Sequence, residues 1–386
     1  MKKILYITTV DISSDSGVRK KLYGQIRVMR ESGLEVALIA PHGDNIVVVE
    51  GGARDEERMG VVASYRNTGP LRFFNLIRNL YKSAYELGHK DKYDAVFIRY
   101  SLAERCLIKM FRKLKEEGIK IFIEIPSYPY DLEYKNKQWY KKFGLYLDKI
   151  YRKKLKDYVD IIFTPSPQEE TIYGVKTVSF NNGVNTEDIE ERRYSGKKDG
   201  ILRFIGVANL NSWHGYDRVI RGIAEYYKEK DEIDFIFNIV GEGIELSNLK
   251  DLVEELDLQD RVIFHGFKSG ADLNEVYNNS DVAISSIGLY RLGVAPRLVL
   301  KAREACLKGI PFVVVKGDPV FDNNFDYVYF VKDEGSPLQV EEVYNWFVNL
   351  DPEKYLKEMN KFARENLDWR KTFKEPVSVM KEVMEK

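Results

Sequence analysis

Short apolar runs alternate along this chain with stretches of helical periodicity. Lys3–Thr9 is an apolar run of strand length, Ser13–Gly17 is a polar turn, and Val18–Glu31 repeats its apolar positions as a helix does. Gly33 ends that helix, and Leu34–Ala40 is a second apolar run. The rhythm continues with a strand at Ala95–Ile98, a helix at Ala103–Glu117, and strands at Lys120–Ile125 and Ile161–Thr164. Runs this uniformly apolar predict strands covered on both faces, as in parallel α/β sheets. Asn181–Lys198 is polar and reads as a linker. The alternation then restarts. Leu202–Val207, Phe235–Val240, Arg261–Phe264 and Val282–Ser286 read as strands, separated by helices at Tyr216–Tyr227, Ile244–Leu256 and Asp272–Asn278. Arg297–Val315 follows as a short helix, a Gly309–Pro311 turn and a buried strand. Leu338–Lys386 is helical in pattern with no strand signal. The pattern predicts two Rossmann-like, doubly wound domains, 1–190 and 198–365. A C-terminal helix over 366–386 is expected to pack back on the first.

Composition narrows the class. At 386 residues, two domains are the default. The net charge is zero, yet Met1–Tyr194 holds 34 Lys and Arg against 27 Asp and Glu, and the remainder mirrors that excess. Different partners for the two halves follow from such asymmetry. Cys106 and Cys306 lie far apart in helical patterns and read as buried thiols of a reducing compartment. The four histidines show no HxxxH spacing and no CxxC is present, so no metal site is expected. No apolar run approaches the ~20 residues of a membrane span, and the opening MKKILYITTV lacks a cleavage site. A cytoplasmic location, with peripheral attachment to the inner face of the plasma membrane left open, is the expectation.

Candidate chemistry gathers where strands end. Gly206-Val207-Ala208-Asn209 runs into a loop with Trp213, His214 and Gly215. Val240-Gly241-Glu242-Gly243 and His265-Gly266-Phe267-Lys268 occupy two further strand-to-helix junctions. Ligands of doubly wound sheets bind at such junctions. Phe267 offers a ring to stack on a base. Gly288, Gly293, Arg291 and Arg297 precede a helix whose opening amides are suited to phosphate.

Taken in order, FIGVANLNSWHGYDRVIRGI, FNIVGEG, RVIFHGF, NNSDVAISS and LKAREACLKGIPFVV resemble family-4 glycosyltransferases of the GT-B type. The resemblance is most specific over Ile201–Val315 and lies nearest to bacterial enzymes of capsule, exopolysaccharide or O-antigen synthesis. It implies two Rossmann-like domains facing a cleft, with a nucleotide-sugar donor in the C-terminal domain and the acceptor in the N-terminal one. It also implies retention of anomeric configuration, usually without a metal or other cofactor. The position of Glu304 implies a contact with the donor ribose, and Arg297, Leu298 and Val299 would cradle the diphosphate. Ser16-Gly17-Val18 resembles a glycine loop facing the donor phosphates, with Arg19, Lys20 and Lys21 behind it.

The departures from the family pattern are specific. A glutamate eight positions before Glu304 is replaced by Pro296, and an Arg and a Lys that grip the diphosphate are replaced by Asn209 and His214. The charge on the leaving group is then expected to be met by Arg291, Arg297 or Lys301, with His214 assisting. Gly241 joins this donor-binding set. In the first half, the loop Glu124–Glu133 makes Glu124, Asp131 or Glu133 a candidate to orient the acceptor hydroxyl, and Glu124 is given the catalytic role.

Tyr134–Tyr158 interleaves nine Lys and Arg with Trp139, Tyr140, Phe143, Tyr146, Tyr151 and Tyr158, a pattern suited to an anionic membrane surface. Pro70–Lys82 has the same character. Nucleic acid is not expected, because these aromatics are helical rather than on an open sheet. The predicted function is glycosyl transfer from a nucleoside-diphosphate sugar to a lipid-linked glycan hydroxyl. An epimerase-like enzyme and a non-catalytic binding subunit of the same fold are the alternatives.

Overall fold

The computed structural model describes residues 1–14, 16–51, 57–65, 72–134, 138–165, 169–194, 200–292, 299–321 and 325–386. Internal contacts divide the chain into two units, one of Met1–Gly183 with Trp369–Lys386, the other of Val184–Asp368.

The first unit carries nine strands among the described residues. These are β1 (Lys3–Ile7), β2 (Glu35–His42), β3 (Asn45–Glu50), β4 (Arg58–Ser64), β5 (Ala95–Arg99), β6 (Lys120–Glu124), β7 (Ile161–Thr164), β8 (Thr171–Ile172) and β9 (Val175–Ser179), in the sheet order β4-β3-β2-β1-β5-β6-β7-β9-β8. The central strands β2, β1, β5, β6, β7 and β9 pair in parallel. The edges depart from the expected pattern: β2-β3-β4 is an antiparallel meander, and β8-β9 is a second antiparallel pair. Helices α1 (Gly17–Glu31), α2 (Arg72–Asp91), α3 (Arg105–Glu116) and α4 (Trp139–Tyr151) complete the run to the second unit. Ser16 caps α1, its hydroxyl accepting from the Arg19 amide at 3.2 Å, and Gly33 ends the helix at φ +84°. The Glu104 carboxylate caps α3 through the amides of Cys106 and Leu107, both at 2.9 Å. Cys106 is only partly buried, which corrects the expectation of two buried thiols; Cys306 is buried.

The second unit holds β10 (Ile201–Val207), β11 (Asp234–Val240), β12 (Val262–Phe264), β13 (Val282–Ile284), β14 (Phe312–Val315) and β15 (Val328–Val331). Their order is β12-β11-β10-β13-β14-β15 and every pairing is parallel. The order reverses between β10 and β13, which is the switch point where ligands of such sheets bind. Helices α5 (Tyr216–Glu229), α6 (Leu246–Glu255), α7 (Gly270–Asn278), α8 (Leu300–Lys308), α9 (Val340–Phe347) and α10 (Pro352–Asn366) cover the sheet. Arg303 on α8 is fully buried because Asp318 takes it in a two-pronged pair at 2.6 and 3.0 Å.

The last helices, α11 (Trp369–Thr372) and α12 (Lys374–Glu385), belong to the first unit. Phe373 between them is fully buried and meets Phe97 and Phe180 edge-on, with ring centroids 6.2 and 5.1 Å away. Gly183 is required there, since a Cβ would lie 2.7 Å from the Trp369 ring.

Candidate functional site

In the second unit, the loops at the switch point are stitched together by backbone. After β10 the chain turns through Ser212–His214 in one 3₁₀ turn and enters α5 at Gly215, whose φ of +69° suits glycine. Ile287 and Gly288, just past β13, donate their amides to the carbonyls of His214 and Trp213, each at 3.1 Å. Gly241 donates to the Gly266 carbonyl at 2.7 Å, and a Cβ on it would lie 1.8 Å from the Ala208 carbonyl oxygen. Gly241 was expected to bind the donor. Its amide is spent inside the protein, so its place here is to let three loops meet.

His214 is buried against Ser286. Its Nε2 lies 3.0 Å from the Asn209 carbonyl, which can only accept, so Nε2 carries the proton and Nδ1 accepts from the Ser286 hydroxyl at 3.0 Å. Burial, reinforced by the Lys301 ammonium, pushes its pKa down to about 3. The imidazole is therefore neutral near pH 7. His214 does not supply the positive charge assigned to it from the sequence; it holds the Asn209 loop in place. Asn209 itself is exposed.

Arg291 is also corrected. Its guanidinium makes a bidentate pair with Asp217 at 2.8 and 2.6 Å, donates to the Ser212 carbonyl at 2.5 Å, and meets the Tyr290 hydroxyl at 2.8 Å. Hydrogen bonding to Asp217 holds its pKa above the ordinary arginine value. With its fork occupied and its charge neutralised, Arg291 is a brace between two loops.

Two charged groups differ from these. Lys301 and Glu304 lie one turn apart on α8. Neither has a hydrogen bond or ion-pair partner among the described residues. Burial lowers the Lys301 pKa and the nearby Glu304 carboxylate opposes that shift. Tyr277 of α7 is the buried group that feels Glu304. Val299 is the N-cap residue of α8, without a side-chain cap. Pro296, Arg297 and Leu298 lie outside the described residues. Phe267 follows β12 and is 60% exposed, so its ring is open to a ligand.

In the first unit, Gly17 opens α1 with nothing within 4 Å of an added Cβ. Lys21 is buried, and its ammonium lies 2.7 Å from Glu124 and 2.8 Å from the Asn182 side-chain oxygen. Glu124 has no exposed surface. Besides Lys21, it takes Arg99 at 3.0 Å and the Gln25 amide at 3.0 Å. Burial alone would raise its pKa, but Lys21 and Arg99 hold the carboxyl below its usual range. The catalytic role expected of Glu124 is withdrawn on these contacts: the carboxylate is sealed and saturated. Asp131 is likewise held by Arg152 and Lys149. Glu133 accepts from Ser127 at 2.6 Å.

The sequence reading missed Ser286, whose hydroxyl donates to Nδ1 of His214, and Asp217, which neutralises Arg291. Both lay inside quoted motifs; only their partners in space were hidden.

The architecture is that of the GT-B glycosyltransferases. Residues 187–366 match the model for glycosyl transferases group 1. An uncharacterized glycosyltransferase of Methanocaldococcus jannaschii is 29% identical over 165 residues, covering 42% of this chain and 40% of that protein. The alpha-monoglucosyldiacylglycerol synthase of Streptococcus pneumoniae is 25% identical over 152 residues, covering 39% and 32%. The chain thus spans well under half the length of these curated relatives. Among solved structures, HepE of Anabaena in complex with UDP superposes with a TM-score of 0.65 at 14% identity, covering 99% of this chain and all of that one.

Proposed function

We propose that the chain transfers a sugar from a nucleoside-diphosphate sugar to a hydroxyl of a lipid-linked glycan, in cell-surface polysaccharide synthesis at the inner face of the plasma membrane. In this reading the bond from the anomeric carbon to the diphosphate oxygen breaks, and a bond to the acceptor oxygen forms on the same face. The acceptor proton passes to the departing phosphate, so no protein base is needed. The observation that carries the proposal is the pair Lys301 and Glu304 on α8, neither of which has a hydrogen bond or salt bridge among the described residues. Lys301 meets the charge that grows on the leaving diphosphate, assisted by the amides of Arg297, Leu298 and Val299 rather than by a metal. Glu304 accepts from the ribose hydroxyls, and Phe267 stacks on the base. UDP bound by the Anabaena neighbour supports a nucleoside-diphosphate donor. The pneumococcal relative, named for a glucosylated diacylglycerol, supports a lipid-borne acceptor. Tyr134–Tyr158 supplies the basic and aromatic residues for an anionic membrane.

A thermal-shift screen against UDP-, GDP- and dTDP-sugars, followed by donor hydrolysis, tests the donor half. A ligand that binds only the folded chain raises Tm by mass action. One nucleotide sugar is expected to raise it and to be slowly hydrolysed. A chain that none of them stabilises and that hydrolyses none is not a transferase of this kind.

A further inference from the structure

Helix α4 turns a mixed face inward, with Leu145 and Tyr151 packed partly against the core. Its buried positions are Gly144 and Asp148, one turn apart. Asp148 accepts from the hydroxyls of Tyr100 and Tyr130, the Ala103 amide at 2.7 Å and Arg152 at 3.3 Å. Gly144 admits Leu102, which would lie 3.1 Å from an added Cβ. The opposite side carries Trp139, Phe143, Tyr146 and Ile150, exposed by 70, 47, 61 and 47%. Steps of four, three and four residues place these side chains on one stripe. A stripe of four large apolar side chains turned away from the core marks an interaction surface.

Charge identifies the partner. From 138 to 158 the chain has seven Lys and Arg against two acids, the buried Asp148 and the exposed Asp157 at the far end. Arg152 and Lys149 are tied to Asp131. Lys141, Lys142, Lys153, Lys154 and Lys156 have no acidic partner among the described residues. The surface is thus aromatic and predominantly cationic, its one exposed acid, Asp157, lying beyond the last lysine. An apolar stripe flanked by lysines complements an anionic lipid interface, where rings sit at headgroup depth and ammonium groups meet phosphates.

We propose that this stripe is the face on which the chain lies on an anionic phospholipid bilayer. Trp139, Phe143, Tyr146 and Ile150 enter the headgroup boundary, and the unpaired lysines meet lipid phosphate. The proposal rests on the reading of a lipid-linked acceptor and names the face that meets its membrane. Helix α2, equally basic and aromatic in sequence, is excluded, because Phe73, Leu76, Ile77, Leu80 and Tyr81 pack into the core.

The test uses the full chain with vesicles of phosphatidylcholine alone or with about 30% phosphatidylglycerol, at low salt where Debye screening is weak. The wild type is expected to sediment with the anionic vesicles only, with a blue shift in tryptophan emission that Trp139→Phe removes. A Phe143→Ser/Tyr146→Ser/Ile150→Ser variant with wild-type Tm should bind at least about tenfold more weakly. Arg78→Glu/Lys82→Glu on α2 should bind as the wild type does. Equal binding to neutral vesicles, unchanged binding of the triple variant, or dimerisation through this stripe without lipid overturns the proposal. A wild type that binds vesicles but neither binds nor hydrolyses any donor overturns the transferase reading alone. One that hydrolyses donor but ignores vesicles overturns this inference alone.

Discussion

Two glutamates, one at a strand end and one on a helix, show how this molecule divides its charge. Glu124 ends β6 in the first unit and is sealed there by Lys21, Arg99 and Gln25. Glu304 lies on α8 in the second unit, beside a lysine and without a hydrogen bond among the described residues. Both looked like functional carboxylates in the sequence. The difference is where their compensation comes from. A carboxylate surrounded by protein cations has nothing left to offer a ligand, and losing it leaves those cations stranded. A carboxylate and an ammonium without hydrogen bonds among the described residues keep that hydrogen-bonding capacity for a ligand.

The sharpest way to break this contrast is Glu124→Ala. Removing one partner of a buried ion pair costs about 3–5 kcal/mol, because Lys21 and Arg99 remain buried with less compensation. Urea unfolding should show that loss, whereas Glu304→Ala should stay within about 0.5 kcal/mol of the wild type. Equal stability of the two variants would collapse the distinction.

Lys301→Ala comes next. Loss of a donor aimed at a developing anion lowers kcat by about 10²–10³, or about 2.7–4 kcal/mol. Donor hydrolysis should fall by that factor while Tm holds, since Lys301 makes no hydrogen bond or salt bridge among the described residues. A variant that turns over within about threefold of the wild type would remove Lys301 from the leaving-group role.

What could be read in the sequence follows from what is local. Most parallel strands of both sheets were visible because a strand covered on two faces is apolar throughout, as Ile4–Ile7 and Phe312–Val315 are; β9 and β15, each with only one buried residue, were missed. The meander β2-β3-β4 was missed, since β4 is exposed along nearly its whole length and its VVAS carries no alternation. β8 was missed because it is only two residues long. Pairings between distant residues were beyond reach. Glu124 with Lys21 and Arg99, Arg291 with Asp217, and His214 with Ser286 join positions 25 to 103 residues apart. Helices α2 and α4 make the same point, for their basic and aromatic content is alike and only packing shows which face each one buries.

His214 gives a smaller effect that sharpens the comparison through pH. Its pKa of about 3 in the fold lies below the ordinary 6.5. Between those values the unfolded chain binds a proton that the folded chain lacks. Its contribution to stability is therefore complete above pH 6.5 and declines as pH falls toward 3. At pH 5.5 the decline is roughly 1.4 kcal/mol. Unfolding at pH 7.5 and 5.5 should show it in the wild type and not in His214→Asn. The buried carboxyls of Asp148 and Asp281, whose pKa values burial raises, act in the opposite sense but are common to both chains. An identical pH dependence in both would mean that His214 is protonated in the fold and available as a cation.

The smallest expected effect belongs to Arg291, the charge that looked most useful for a diphosphate. Its pair with Asp217 is partly open to water, so screening leaves the pair a stabilisation of about 1 kcal/mol or less. Because the guanidinium already serves Asp217 and the Ser212 carbonyl, Arg291→Ala removes a brace rather than a ligand contact. Donor hydrolysis should stay within about fivefold of the wild type, with KM moving more than kcat as the loops loosen. The paired substitution Asp217→Asn discriminates further. It frees the guanidinium, so a rise in donor affinity there, lost again in the double variant, would show that Arg291 can reach the phosphates once its carboxylate is gone. A kcat for Arg291→Ala as low as that of Lys301→Ala would mean that a neutralised arginine still serves the leaving group, and the division between committed and unmatched charge would fail where it was drawn.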